Sequence, residues 1–456
     1  MQLYSETPPN SEDVSDSRAG AGTDISKQSL RGGAYLAGRY GLGILISLGN
    51  MLVMTWWIGP HAYGIFVTAI GMIAFLATIS RVGIDTYLVR SEAVPDSAMY
   101  GTATTLVLSA SSILSLIAVA LTPLLVGWYD SKEFVGPYLA LLITIPVSGL
   151  AGVPTAKLER ALEFRRVAGI ELAGQAFGLA AAAGLAWSHA GVWAPVAGQI
   201  AWQSFILIAT LTYSSLGLRL RFRKTMARDM LSFGIGLTVS LRTWQVRTLV
   251  NPLLIGRFLG AEAVAFVALA IRIAESLGTL RLAAGRMAIA ALARLQHRRE
   301  DFRYALEQGL YVQVVTLGPL LCGFALCGPV IVRHVIGVRW MPSLAIYPFV
   351  AAGVLVNSVY NLQASGLFVM GRQWVVTASY AAHVFLLAAA TLVLLPRLGI
   401  VGYGWAELAA CGAYWVIHSA TGRSVAISYQ KLVPWTAGFL ASLFLIPVGY
   451  ALLRMN

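Results

Sequence analysis

Two apolar runs in the middle of the chain carry charges that an apolar run does not tolerate for free. The run 231–259 holds Arg242 and Arg247, and the run 263–291 holds Arg272, Glu275, Arg281 and Arg286. In a bilayer such a residue costs roughly 2.5 to 3.5 kcal/mol near the midplane, so it faces the protein interior or a wet cavity and marks a path for polar cargo. Arg242 falls about 16 Å into its run at 1.5 Å per residue, too deep to reach the surface by extending its side chain. Asn251-Pro252 follows Arg247, and proline frees a backbone carbonyl and kinks a helix. In the second run Arg272, Glu275, Thr279 and Arg286 project within about 60° of one another, and Arg272 and Glu275 stand at the spacing of an intrahelical ion pair. Arg281 projects to the opposite side, toward lipid headgroups. Guanidinium groups bind phosphate through two parallel hydrogen bonds and stay charged. These residues point to a cationic cavity for an anionic cargo.

Other polar groups join them. Arg39, Asn50 and Trp57 share one stripe of the first apolar run, and Arg39 either faces the interior or snorkels to the surface. Glu171 and Glu407 sit in later runs, where each can carry a proton or pair with an arginine, and are the candidates for coupling. Gln199, Gln245, Asn361 and Gln363 are candidates to hydrogen-bond sugar hydroxyls, with Trp56, Trp57, Trp202 and Trp244 to stack on sugar faces or anchor at the interface.

The elements that must position these groups follow from composition. Of 456 residues 57% are hydrophobic and only 12% charged, where a soluble domain carries about 25%. The fold class is an all-α polytopic membrane protein. The net charge of +13 is that of cytoplasmic loops, not of a nucleic-acid binder. Cys322, Cys327 and Cys411 lie in apolar runs without metal-site or disulfide spacing. No phosphate-binding Gly-rich loop, cofactor motif or metal motif is present, no loop has room for a soluble domain, and the chain does not read as an enzyme.

Thirteen apolar runs are expected to span, near 34–58, 64–80, 101–128, 136–154, 167–187, 191–214, 231–259, 263–291, 305–332, 343–364, 374–395, 399–420 and 433–453. With the amino terminus in the cytoplasm, the inner loops collect Arg81, Arg90, Lys157, Arg160, Arg165, Arg166, the basic run Arg219 to Arg228, Arg294 to Arg303, Arg372, Arg423 and Lys431. The outer side holds only Lys132, Arg333, Arg339, Arg397 and Arg454. That bias sets the orientation.

The chain also reads as written twice, at an offset of about 201 to 208 residues. Trp57-Ile58-Gly59-Pro60-His61-Ala62-Tyr63-Gly64 answers to Phe258-Leu259-Gly260-Ala261-Glu262-Ala263-Val264-Ala265, and the glycine-rich start at Gly191 answers to that at Gly399. Six helices in each half give parallel repeats, with a binding site between them. The expected domains are a disordered cytoplasmic tail (1–30), a six-helix lobe (31–216), a basic cytoplasmic linker (217–230), a second six-helix lobe (231–422) and an extra C-terminal transmembrane helix (423–456).

The turn with Gly59, Tyr63 and Gly64, the run Gly83-Ile84-Asp85-Thr86-Tyr87-Leu88-Val89-Arg90 and the two glycine-rich helix starts resemble the polysaccharide-transporter branch of the multidrug/oligosaccharidyl-lipid/polysaccharide exporter superfamily, over residues 30 to 430. The resemblance implies a flippase that carries undecaprenyl-diphosphate-linked oligosaccharide from the cytoplasmic to the periplasmic leaflet of a bacterial inner membrane by alternating access, for lipopolysaccharide O-antigen or exopolysaccharide synthesis. It implies membrane lipids, a polysaccharide polymerase and chain-length machinery as partners. A cation-coupled multidrug exporter and a lipid II flippase of the same superfamily are the alternatives. A polymerase or ligase would need a long outer loop, which this chain lacks.

Overall fold

The computed structural model describes residues 42, 43, 46, 49–92, 94–217, 219–278, 292, 294, 295 and 298–455, with 235–242 and 451–455 described by backbone alone. Met1–Gly49 and Asn50–Asn456 are separate compact units, and the few described residues of the first are helical. The expected tail 1–30, Arg39, Arg281 and Arg286 lie outside the described residues.

The second unit is helical, without a strand among the described residues. Its helices are α1 (Gly59–Ser80), α2 (Ile84–Arg90), α3 (Ser97–Ala120), α4 (Thr122–Tyr129), α5 (Val135–Leu142), α6 (Thr144–Arg160), α7 (Phe164–Trp187), α8 (Trp193–Ser214), α9 (Lys224–Thr243), α10 (Gly256–Leu277), α11 (Arg299–Ile331), α12 (Ser343–Val369), α13 (Gln373–Leu398), α14 (Ile400–Ala410), α15 (Trp415–Ser424) and α16 (Leu432–Met455). Among the described residues, eleven helical runs are long and apolar enough to cross a membrane. They overlap all thirteen expected segments, because two of them, Gly49–Ser80 and Trp244–Leu277, each overlap two. Each is divided by a glycine that leaves helical conformation, Gly59 at φ 79° and Gly260 at φ 80°. Only glycine adopts that geometry without strain. The turn expected at Gly260-Ala261-Glu262 is where the chain makes it.

Several boundaries differ from expectation for local reasons. Helix α3 starts early because Asp96 caps it, accepting from the Met99 amide at 2.7 Å. The run expected to 128 breaks at Leu121, just before Pro123 in the first turn of α4. Helix α6 carries Pro154 inside and continues to Arg160. There Arg160 donates to the carbonyls of Leu88 and Ser91 at the end of α2, while Lys157 donates to the Ser214 carbonyl that ends α8. Basic side chains thus satisfy the free carbonyls of neighbouring helix ends. Helix α11 begins before the expected 305, with Glu300 and Asp301 in its first turn.

Packing rests on close approach of backbones, as membrane helices require where hydrophobic burial gives no drive. A Cβ on Gly64 of α1 would stand 1.8 Å from the Ala261 carbonyl oxygen, so the two glycine turns lie against each other. Helices α7 and α8 meet through Gly178 and Gly198, where a Cβ on either would fall 2.8 Å from the other's carbonyl oxygen. At the turn before α1, Met54–Ile58 is a π-helix, and its carbonyls are taken by donors from far along the chain. Trp340 Nε1 donates to the Thr55 carbonyl at 3.1 Å and Arg339 to that of Trp56 at 3.3 Å, while Trp56 Nε1 donates to the Val335 carbonyl. Trp128 Nε1 and the Tyr129 hydroxyl likewise donate to Leu253 and Pro252 at 2.8 and 3.0 Å. Burial pushes the Tyr129 hydroxyl well above its usual pKa, which keeps it a donor.

Because the Gly64 contact is with backbone, no side-chain rotation relieves an added group. Gly64→Val is expected to lower stability by about 1–3 kcal/mol, read as a fall in the melting midpoint of the detergent-solubilised protein. Gly438→Ala, where an added Cβ meets nothing within 4 Å, is expected to leave the midpoint unchanged or raise it. Equal midpoints for the two variants would remove the turn-on-turn contact from the forces that hold the fold.

Candidate functional site

Between α9 and α10 the backbone leaves α geometry. Trp244–Leu249 forms a 3-10 helix and Asn251–Ile255 a π-helix around Pro252. In a 3-10 helix residues i and i+3 eclipse, which sets Trp244 and Arg247 on one side. The Arg247 guanidinium carbon sits 5.2 Å from the Trp244 ring centre, in cation–π contact. Its Nη2 donates to Glu407 Oε1 of α14 at 3.1 Å, with the two side chains 16% and 6% exposed. Gly353 of α12 makes room for the acid, since a Cβ there would lie 3.1 Å from Glu407 Cγ.

These residues line a small, partly open cleft with Glu275, Val354, Asn357 and Tyr414, whose roughly 240 Å³ of non-atom space includes open solvent. Asn357 Nδ2 donates to the Tyr414 hydroxyl at 2.6 Å. An aromatic column runs from the lining, half-buried at Trp244 and Tyr360 and buried at His383 and Tyr414. Trp244 lies 5.0 Å from the His383 ring, His383 stacks on Tyr414 at 5.2 Å, and Tyr414 stacks on Tyr360 at 5.0 Å. Several polar atoms here have no hydrogen-bond partner among the described residues: Arg247 Nε, Glu407 Oε2, Asn251 Oδ1 and both ring nitrogens of His383.

The structure therefore brings together Arg247, Glu275 and Glu407 of the expected residues, with Trp244. It does not bring Asn50, Arg272 or Glu171 into the lining. Glu171 is exposed near the start of α7, and Asn50 keeps a buried Oδ1 without a partner among the described residues. Arg39 lies outside the described residues, and the side chain of Arg242 is not among those described. The described lining holds one guanidinium and two carboxylates, so acids outnumber arginines among the described lining residues. Gly353, Asn357, Tyr414 and His383 are the residues that sequence reasoning passed over. Asn357 and His383 had a usable signal, each being polar in mid-span of a long apolar run.

Breaking the pair from one side leaves a buried charge alone, which costs about 3–5 kcal/mol, whereas exchanging both partners for apolar groups of similar volume is close to neutral. Glu407→Ala is expected to destabilise the protein strongly, and the double variant Arg247→Met/Glu407→Leu to regain most of the loss. Additive losses in thermal midpoints would show that the pair carries no coupling energy.

With that geometry in hand, likeness to known proteins adds a frame. A lipid II flippase, MurJ, in an inward closed conformation superposes over 91% of this chain and 91% of its own, with TM-score 0.68 and 14% identity. A multidrug resistance transporter of the MATE family and MOP superfamily, inward-facing, matches over 84% of this chain and 94% of its own, at TM-score 0.65 and 15% identity. The MATE transporter VcmN of Vibrio cholerae matches over 85% and 94%, at TM-score 0.54 and 14% identity. At such identities the shared property is the fold, which is that of polytopic membrane transporters. No curated protein sequence matches the chain. Residues 53–345, well over half of the length, match the family model described as polysaccharide biosynthesis protein, and the chain belongs to that family.

Proposed function

We propose that this protein is a flippase for lipid-linked oligosaccharide, carrying undecaprenyl-diphosphate-linked repeat units from the cytoplasmic to the periplasmic leaflet of a bacterial inner membrane. The observation that carries the reading is an arginine held inside a membrane transporter fold, Arg247, with one face given to an internal acid and its Nε unpartnered among the described residues. Such a group suits a phosphate oxygen. Family membership in polysaccharide biosynthesis supplies the saccharide, and the MurJ-like fold agrees with a lipid-linked one.

On this reading residues 31–216 and 231–422 are two six-helix lobes that alternate access, 423–456 adds a helix, and the amino terminus is cytoplasmic. Arg39, Asn50, Arg242 and Arg272 join Arg247 and Glu275 along the cargo path, and Trp244 offers a sugar an aromatic face. Glu407 is a better coupling candidate than the exposed Glu171, being buried and paired. Surface polymer, as lipopolysaccharide or exopolysaccharide, is the product that depends on it, with a polymerase and chain-length machinery acting on the delivered units. The two carboxylates of the lining, Glu275 and Glu407, favour a second reading, export of an organic cation.

Deletion of the gene is expected to abolish surface polymer and to trap the lipid-linked unit in the inner leaflet, measured by a leaflet-selective labelling assay. Complementation with Arg242→Ala or Arg272→Ala is expected to fail at unchanged membrane levels. Normal polymer from both variants would end the cationic-path reading. Units already in the outer leaflet would place the protein at a later step. Unchanged polymer with sensitivity to cationic dyes would favour the second reading.

A further inference from the structure

Arg247 is already neutralised before any cargo arrives. An anion that takes its guanidinium must displace Glu407 or share the arginine with it. Sharing puts a carboxylate against a phosphate in a membrane interior, and like charges at that distance repel strongly. Displacement leaves Glu407, 4% exposed, as a lone buried carboxylate, which costs several kcal/mol. Glu407 lines the cleft, with Gly353 leaving the space beside its Cγ open, so its carboxylate has room to leave Arg247. Among the described residues its neighbours offer no further permanent cation. The titratable groups facing the pair are Glu275 from α10, His383 from α13, Tyr403 from α14, and Cys411 and Tyr414 from the short helix Cys411–Tyr414. The Tyr403 hydroxyl hydrogen-bonds Glu407 but carries no charge, so among the described groups a proton is what can neutralise the displaced carboxylate.

We propose that Glu407 is the resting counter-ion of Arg247, standing in for the cargo phosphate in the empty transporter, and that binding of a diphosphate displaces it and protonates it. This rests on the flippase reading above and says what the acid in its site is for. The proton comes from water: the Arg247–Glu407 ion pair opens, the guanidinium forms hydrogen bonds to phosphate oxygens, and the Glu407 carboxylate gains an O–H bond. When the anion leaves, the proton returns to water and the ion pair re-forms. The empty transporter thereby never buries a lone guanidinium.

The test is calorimetric titration of the purified protein in detergent with farnesyl diphosphate. It is run in alkaline buffers of different ionisation enthalpy, where the probe's own phosphates are fully ionised. The wild-type protein is expected to take up about one proton for each probe bound. Glu407→Gln, which keeps the volume and removes the charge, is expected to bind the probe at least about tenfold more tightly and without proton uptake. Binding to the wild type with no proton uptake overturns the proposal and leaves the anionic-cargo reading standing. Uptake that persists in Glu407→Gln places the proton elsewhere, with His383 the nearest candidate, and also overturns it. Failure of both proteins to bind the probe removes the anionic-cargo reading and this proposal together.

Discussion

A charge inside a membrane must be answered within the protein, and the Arg247–Glu407 pair is where this fold answers it. The two residues are 160 positions apart, so the pair ties the broken helix around Pro252 to α14 across most of one half of the chain. It also explains the irregular backbone. The 3-10 turn aligns Trp244 with Arg247, and the π-helix after it turns Pro252 and Leu253 so that their carbonyls meet Tyr129 and Trp128. Non-α backbone at membrane depth is tolerated where protein, not lipid, surrounds it. Here each irregular segment has such a neighbour.

Much of this architecture was legible in the sequence because membranes impose few rules. Apolar length gave the spans, and the glycines at 59 and 260 gave the turns, since no other residue takes that conformation cheaply. The boundaries were less legible, because they depend on single contacts such as the Asp96 cap or the donation of Arg160 to the end of α2. Proline does not mark a boundary by itself. Pro154 sits inside a continuing helix, while Pro123 follows a break. The difference lies in which helix position each occupies, and tertiary packing decides that.

The site was half legible for a related reason. Depth along a helix identifies Arg247 and Glu407 as charges that need partners, but it does not say that they are each other's partner. Helical projection treats residues 231–259 as one regular helix. The 3-10 and π segments alter the turn per residue and change which residues share a face. An arginine-lined cavity was therefore the natural expectation from charge counts, and among the described lining residues Arg247 stands with Glu407 and Glu275.

The size of the cavity sets the last constraint. On the proposed flippase reading a cleft this small is too tight for a diphosphate with its first sugar, so cargo entry would need helices to part. The contacts that resist parting are of two kinds. Hydrogen bonds from Trp340, Arg339, Trp128 and Tyr129 to single backbone carbonyls are worth about 1 kcal/mol each and can be exchanged for water. The Gly64–Ala261 approach is different, being backbone against backbone with no intervening side chain. Sliding or rotation there keeps contact, whereas separation would expose polar backbone to lipid. On the alternating-access reading, the first kind would be broken and remade and the second would serve as a pivot. A transporter fold needs both in the same seam.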